Sequence, residues 1–192
     1  MENLKVVELI QLLEVLPDQG YLIKLHLRDK ASIKELIAAL QTSTIPDIRE
    51  ILCDVLGDMY AEKAVPALIK CLDDPISNVR SAAADALSKI RSPLAGESLI
   101  KHFAEQEKDM EVRRMIALAL GAVNYLPAIP ILIEALTDSD ASLRGSVAWS
   151  LGVLNAKEAI GFLETALTRE KNSYASRNMK EALDTLKKPE LN

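Results

Sequence analysis

Apolar residues along this chain fall into short amphipathic blocks of two alternating kinds. One kind reads "ELIAAL" (35–40), "ALIKCL" (67–72), "SLIKHF" (98–103), "ILIEAL" (131–136) and "FLETAL" (162–167). The other reads "DIREILCDVLGDM" (47–59), "NVRSAAADALSKI" (78–90), "EVRRMIALALGAV" (111–123), "SLRGSVAWSLGVL" (142–154) and "ASRNMKEALDTL" (175–186). In both, apolar positions recur at steps of three and four, the period of a helix with one buried stripe. A first helix (A) and a second (B), repeated at a near-constant interval, predict an all-α array of pairs in which each pair buries its apolar face on the next.

The B blocks set the register. Their arginines stand at 49, 80, 113, 144 and 177, at spacings of 31, 33, 31 and 33. Seven residues later come Leu56, Leu87, Leu120 and Leu151, with Asp184 in the degenerate last copy. Eight residues later come Gly57, Ser88, Gly121, Gly152 and Thr185, all small. Alanine-rich helices fill little volume, so these helices must lie close to their neighbours. Pro46 and Pro75 precede B motifs and Pro66 and Pro130 stand early in A helices, where a fixed φ and a missing N–H suit a first turn. The predicted units are 30–60, 61–93, 94–125, 126–155 and 156–188, in one elongated domain.

Residues 1–29 do not fit the repeat. The stretch 3–16 is helical in pattern and is expected to cap the first unit. "YLIKLHLR" (21–28) alternates with period two, the pattern of a strand, but a lone strand has no partner here. It is read as a short helix, with helix or extended chain left open over 20–29. The tail 189–192 is expected to fray.

Asp74 and Asp138 each stand six residues before their unit's arginine, in the A-to-B turn. An arginine at the start of a B helix is suited to bind such an aspartate, or loop carbonyls, in a neighbouring unit. Arg49, Arg80, Arg113, Arg144 and Arg177 are therefore expected to form a structural ladder.

The stretch "AVPALIKCLDDPISNVRSAAADALSKI" resembles HEAT-type repeats, and its "VRxxAAxAL" form is similar to the HEAT-like repeats of the phycobilin lyases. The resemblance spans about residues 30–188. It implies a right-handed α-α superhelix with A helices on the convex side and B helices lining a concave groove. It also implies, as one functional option, a bilin-lyase-like subunit or chaperone that holds a tetrapyrrole or a phycobiliprotein and pairs with another HEAT-like protein.

Composition narrows the choices. Two phenylalanines, one tryptophan and four tyrosines are few for a bulky central core and agree with stacked helices. A net charge of −5 argues against nucleic acid, which needs a basic face. No apolar run approaches the ~18–20 residues that span a bilayer. The N-terminal stretch carries acidic residues and no small-residue cleavage site, unlike a secretory signal. Two cysteines point to a reducing compartment without a disulfide framework, so a cytoplasmic protein is expected.

Little in the sequence carries chemistry. The histidines are His26 and His102 alone, and no HExxH, CxxC or GxSxG spacing occurs. Iron-dependent HEAT-repeat hydroxylases carry His-Glu pairs, and this chain has no His-Glu dipeptide. Cys71 and His102 share one A-helix column and are expected to approach each other, but two ligands fall short of a zinc site. Cys53 falls in a column otherwise held by Ala84, Ala117 and Ala148, as a buried small hydrophobe. No catalytic residue, metal or cofactor is expected, a bilin entering only under the lyase-like option.

Binding is expected on the B helices. Counted from each arginine, positions +1, +5 and about +9 form one stripe that should face outward. The first units place Glu50, Asp54, Asp58 and Asp85 there, while later ones place Arg114, Leu118, Ala122, Trp149 and Val153, with Gly145 leaving space beside the indole. An apolar patch anchored by a tryptophan and rimmed by an arginine is the composition of an interaction site. The expected function is a non-enzymatic scaffold that grips a protein or peptide on these residues, with the bilin-lyase-like subunit as the alternative. A nucleic-acid enzyme ranks last, because Lys89 and Arg114 are outnumbered by carboxylates.

Overall fold

The structure, a computed structural model, describes residues 6–15 and 20–188, which are helical with short turns and no strand. Residues 1–5, 16–19 and the tail 189–192 lie outside the described residues, and with them the expectation that the tail frays. The chain divides into two compact units, Met1–Ser92 and Pro93–Asn192.

The first unit contains α1 (Val6–Val15), α2 (Gly20–Lys30), α3 (Ile33–Thr42), α4 (Pro46–Asp58), α5 (Val65–Cys71) and α6 (Ser77–Ile90). Helix α3 starts at a capping box in which Ser32 and Glu35 satisfy each other's backbone amides. Pro46 opens α4 and Pro66 lies in the first turn of α5, positions where a missing N–H costs nothing. B helices α4 and α6 pack side by side, while α3 lies on α4 and α5 on α6. Their shared core is Leu52, Leu56, Ala83, Ala84 and Leu87, all fully buried.

The N-terminal segment is more than a lid. Gly20–Lys30 is a helix, because Ile23 and Leu27, one turn apart, are both buried. The period-two alternation loses to that tertiary requirement. Helix α1 packs on α2, and α2 packs on α4, as α6 does from the other side. The pair α1–α2 thus repeats the A–B arrangement without the arginine that marks it elsewhere.

The second unit contains α7 (Gly96–Lys101), extended by one wide turn over His102–Gln106, then α8 (Met110–Ala122), α9 (Ile129–Glu134), α10 (Ala141–Val153), α11 (Ile160–Arg169) and α12 (Ser173–Leu186). Asp109, Asp140 and Asn172 cap the three B helices through their side chains. Helix α10 is flanked by α8 and α12, and α11 packs on α12.

Two local devices recur. Four B helices are followed by a residue of positive φ, namely Tyr60 (51°), Arg91 (58°), Asn124 (55°) and Asn155 (52°). After three of these, the next amide reaches back into the helix, as from Ala61 to Leu56 O at 3.0 Å and from Ala156 to Leu151 O at 3.0 Å. The small residue eight places after the arginine is where B helices touch. A Cβ on Gly57 would lie 2.7 Å from Ala86 Cα, and one on Gly121 would lie 2.8 Å from Ser150 Cβ. At the latter crossing, the Ser150 hydroxyl donates to Ala117 O at 2.7 Å, so a buried polar group is satisfied between helices.

Candidate functional site

The arginines organise the junctions between pairs. Arg49 donates from Nε and Nη2 to the Asp74 carboxylate at 2.7 and 2.9 Å, and from Nη1 to Ser43 O at 3.3 Å. Arg144 forks onto Glu170 at 2.7 and 2.8 Å and donates to Asp138 O at 2.7 Å. Arg113 reaches Asp138 at 2.6 Å and stacks on Phe103, and Arg80 binds Asp74 O at 2.8 Å. Each of Arg49 and Arg144 holds the carbonyl six residues back and the acid of the following A-to-B turn.

That acid also pins its own turn. Asp74 accepts from the Ile76 amide, Asp138 from Asp140 and Glu170 from Asn172, at 3.0, 2.9 and 2.8 Å. Burial pushes the Asp74 carboxyl up, but its bonds to Arg49 and the Ile76 amide outweigh it and leave the group below its usual range. Glu170, whose side chain is 2% exposed, is lowered to about 2, mainly by the Arg144 bonds.

Arg177 departs from the expected ladder. Its side chain is 66% exposed, 3.9 Å from Glu181 on its own helix, and it stands over the Tyr174 ring.

The acidic column of the first unit is occupied. Lys24 of α2 binds Asp54 at 2.8 Å and Asp58 at 3.5 Å, and Lys89 of α6 binds Asp58 and Asp85, each at 2.8 Å. Three carboxylates and two ammonium groups thus form a chain across α2, α4 and α6. Asp54, Asp58 and Asp85 are not a free stripe awaiting a basic partner, because the protein supplies its own cations. Glu50 is half-buried beside them. Lys24 was not legible as a member, since α2 lacks the arginine that sets the register.

In the second unit the apolar column does face outward. The Trp149 residue is 39% exposed and Val153 46%, while Leu118, Ala122 and Arg114 are half-buried. Leu118 and Trp149 occupy the same register on the packed helices α8 and α10. Arg114 is held by a two-pronged bond to Glu111, one arm at 2.8 Å, so a partner's acid must compete with that carboxylate. Gly145 leaves no space for the indole: a Cβ there would lie 2.5 Å from the Tyr174 ring, which fills the notch. The stripe also turns inward at α12, where Asn178, Ala182 and Leu186 are buried. A groove of about 520 Å3 lies elsewhere in this unit, between α9 and α11, lined by Leu136, Phe162, Thr165 and Arg169.

Among the described residues no group of three or more His, Cys, Asp or Glu could hold a metal ion. Cys53 and Cys71 are both buried free thiols, and His102 Nδ1 bonds Ser98 O at 2.7 Å. No described helix is long and apolar enough to cross a membrane.

Comparison with known proteins agrees with this architecture. A family model described as HEAT repeats matches residues 33–110 and 99–184. The chain is similar to phycocyanobilin lyase subunit alpha from Pseudanabaena tenuis, at 35% identity over 79 residues, and from a Nostoc species, at 33% over 91 residues. These matches cover 39% and 47% of this chain but only 28% and 32% of the relatives, so the chain matches about a third of their length. Among solved structures it resembles the complex of CpcE and CpcF of phycocyanin lyase from Nostoc sp. PCC7120, with a TM-score of 0.66, 22% identity and coverage of 96% and 95%. A designed armadillo repeat protein in complex with the peptide (KR)4 aligns with a TM-score of 0.66, 15% identity and coverage of 92% and 91%. At these identities the structural likeness is one of fold. The chain belongs to the HEAT-repeat family.

Proposed function

We propose that this HEAT-repeat chain is a protein-gripping subunit of a bilin-lyase-like assembly. Its B-helix face in the second unit, centred on Trp149, holds a partner polypeptide. The observation that carries the reading is the exposure of Trp149 and Val153 on one helix, on the stripe where the first unit carries Asp54, Asp58, Asp85 and Lys89. An amphipathic tryptophan on a rigid helix is a low-entropy anchor, and such anchors dominate interface energies. The sequence likeness to lyase alpha subunits, rather than the fold, is what favours a lyase-like role over a general scaffold.

The test is association of the purified chain with apo-phycocyanin and with a HEAT-repeat partner subunit, read by Trp149 fluorescence, with and without phycocyanobilin. Binding of either protein, strengthened when the pigment is present, supports the reading. Binding that ignores the pigment would reduce the chain to a general protein-binding module. No association with either protein would overturn the reading.

A further inference from the structure

The groove of about 520 Å3 between α9 and α11 shares no residue with the Trp149 face. Helix α11 packs on the Ala135–Thr137 turn, which follows α9, and the groove lies beside that contact. From α11 it takes Phe162, Ala166 and Arg169, at steps of four and three, so these side chains share one helix face. Ile133 and Leu136 line the other wall. Phe162 is 56% exposed, a large apolar ring left in water at the groove.

The charges of the lining are mostly committed, and the remainder is positive. Asp138 is bound by Arg113 at 2.6 Å, and Glu170 by two arms of Arg144 at 2.7 and 2.8 Å. Arg169 is exposed, and its guanidinium has no ion pair or hydrogen bond among the described residues. It stands seven residues after Phe162, about 10 Å along the helix at ~1.5 Å per residue. The groove thus has an aromatic end and a cationic end.

Its hydroxyls are also spent. Thr137 donates to Glu134 O at 3.0 Å and Thr165 to Gly161 O at 2.8 Å. A peptide laid in the groove would bury backbone amides without partners, whereas an alkyl chain carries no such groups.

We propose that the α9–α11 groove binds a medium-chain aliphatic monocarboxylate. Its chain lies on Phe162, Ala166, Ile133 and Leu136, and its carboxylate meets the Arg169 guanidinium. An extended eight-carbon acid matches the interval from Phe162 to Arg169. The inference is independent of the proposed partner, since it uses none of the residues of the Trp149 face.

The test is 19F NMR of the full chain labelled with 4-fluorophenylalanine. The two phenylalanines are Phe103, buried in the wide turn after α7, and Phe162, so each gives one signal, and Phe162→Leu identifies them. Sodium octanoate should shift the Phe162 signal saturably and leave that of Phe103 in place. The neutral probe 1-octanol should act on the same signal about threefold more weakly, the scale of one exposed charge pair. Arg169→Gln should bring octanoate down to the level of octanol and leave octanol binding unchanged. The proposal is overturned if octanoate leaves the Phe162 signal in place, or if octanol binds the wild type as tightly. It is overturned equally if Arg169→Gln keeps the preference for the acid, or if both signals move together as the chain loosens.

Discussion

Replacing Arg144 with alanine removes more from this fold than any surface charge would. The guanidinium makes four bonds: two to Glu170 at 2.7 and 2.8 Å, and one each to Asp138 O and Ser139 O at 2.7 and 3.0 Å. It leaves behind a carboxylate that is 2% exposed and retains only the amides of Lys171 and Asn172. The depression of Glu170 from 4.5 to about 2 sets the scale. At ~1.4 kcal/mol per unit it corresponds to about 3 kcal/mol of linked stability, an upper figure because the two amides supply part of it. We expect Arg144→Ala to lose about 2–4 kcal/mol at pH 7. The pH dependence has a definite sign. Above the unfolded value of 4.5 the contribution is present in full, and it is lost as pH falls towards 2, because the unfolded chain takes up the proton first. The gap between wild type and variant should therefore narrow to about 1 kcal/mol near pH 2, where only the carbonyl bonds distinguish them. Trp149, the single tryptophan, stands five residues after Arg144 in α10 and reports urea unfolding of this region. Arg177→Ala, at an exposed arginine, should shift the transition by no more than ~0.5 kcal/mol. An unchanged midpoint for Arg144→Ala at pH 7, or a difference undiminished at pH 2, would refute the reasoning.

Gly57→Ala should lower stability by about 1–2 kcal/mol despite the better helix propensity of alanine, because its Cβ would lie 2.7 Å from Ala86 Cα. Gly161→Ala, with nothing within 4 Å, should instead raise Tm, and calorimetry of the two variants separates packing from propensity. Lys24→Ala should cost ~1 kcal/mol and speed hydrogen exchange in α2, since it frees Asp54 and Asp58 to repel each other. High salt should reproduce part of that loosening in the wild type and little more in the variant. Trp149→Ala should weaken partner association by about 2 kcal/mol or more while leaving the far-ultraviolet circular dichroism unchanged.

The sequence by itself determined the repeat, and for a physical reason. Stacked helix pairs interact with their nearest neighbours, so the same local demands recur every 31 to 33 residues and become visible as columns. The leucines seven after each arginine, the small residues eight after and the turn aspartates at 74 and 138 are each read from one repeat and checked against the next. Glu170 was harder to see, standing seven rather than six residues before Arg177, though its longer side chain reaches Arg144 all the same.

Only the tertiary structure decided what depends on a contact between unlike residues. That Lys24 joins Lys89 in neutralising Asp54 and Asp58 required α2 to pack on α4 as a helix, a choice its alternating pattern left open. That Tyr174 fills the notch at Gly145 is a pairing across helices that the repeat columns do not reveal. Periodicity reveals positions, because backbone geometry repeats. Which side chains satisfy one another there is set by shape and charge in three dimensions, and one-off neighbours leave no period to read.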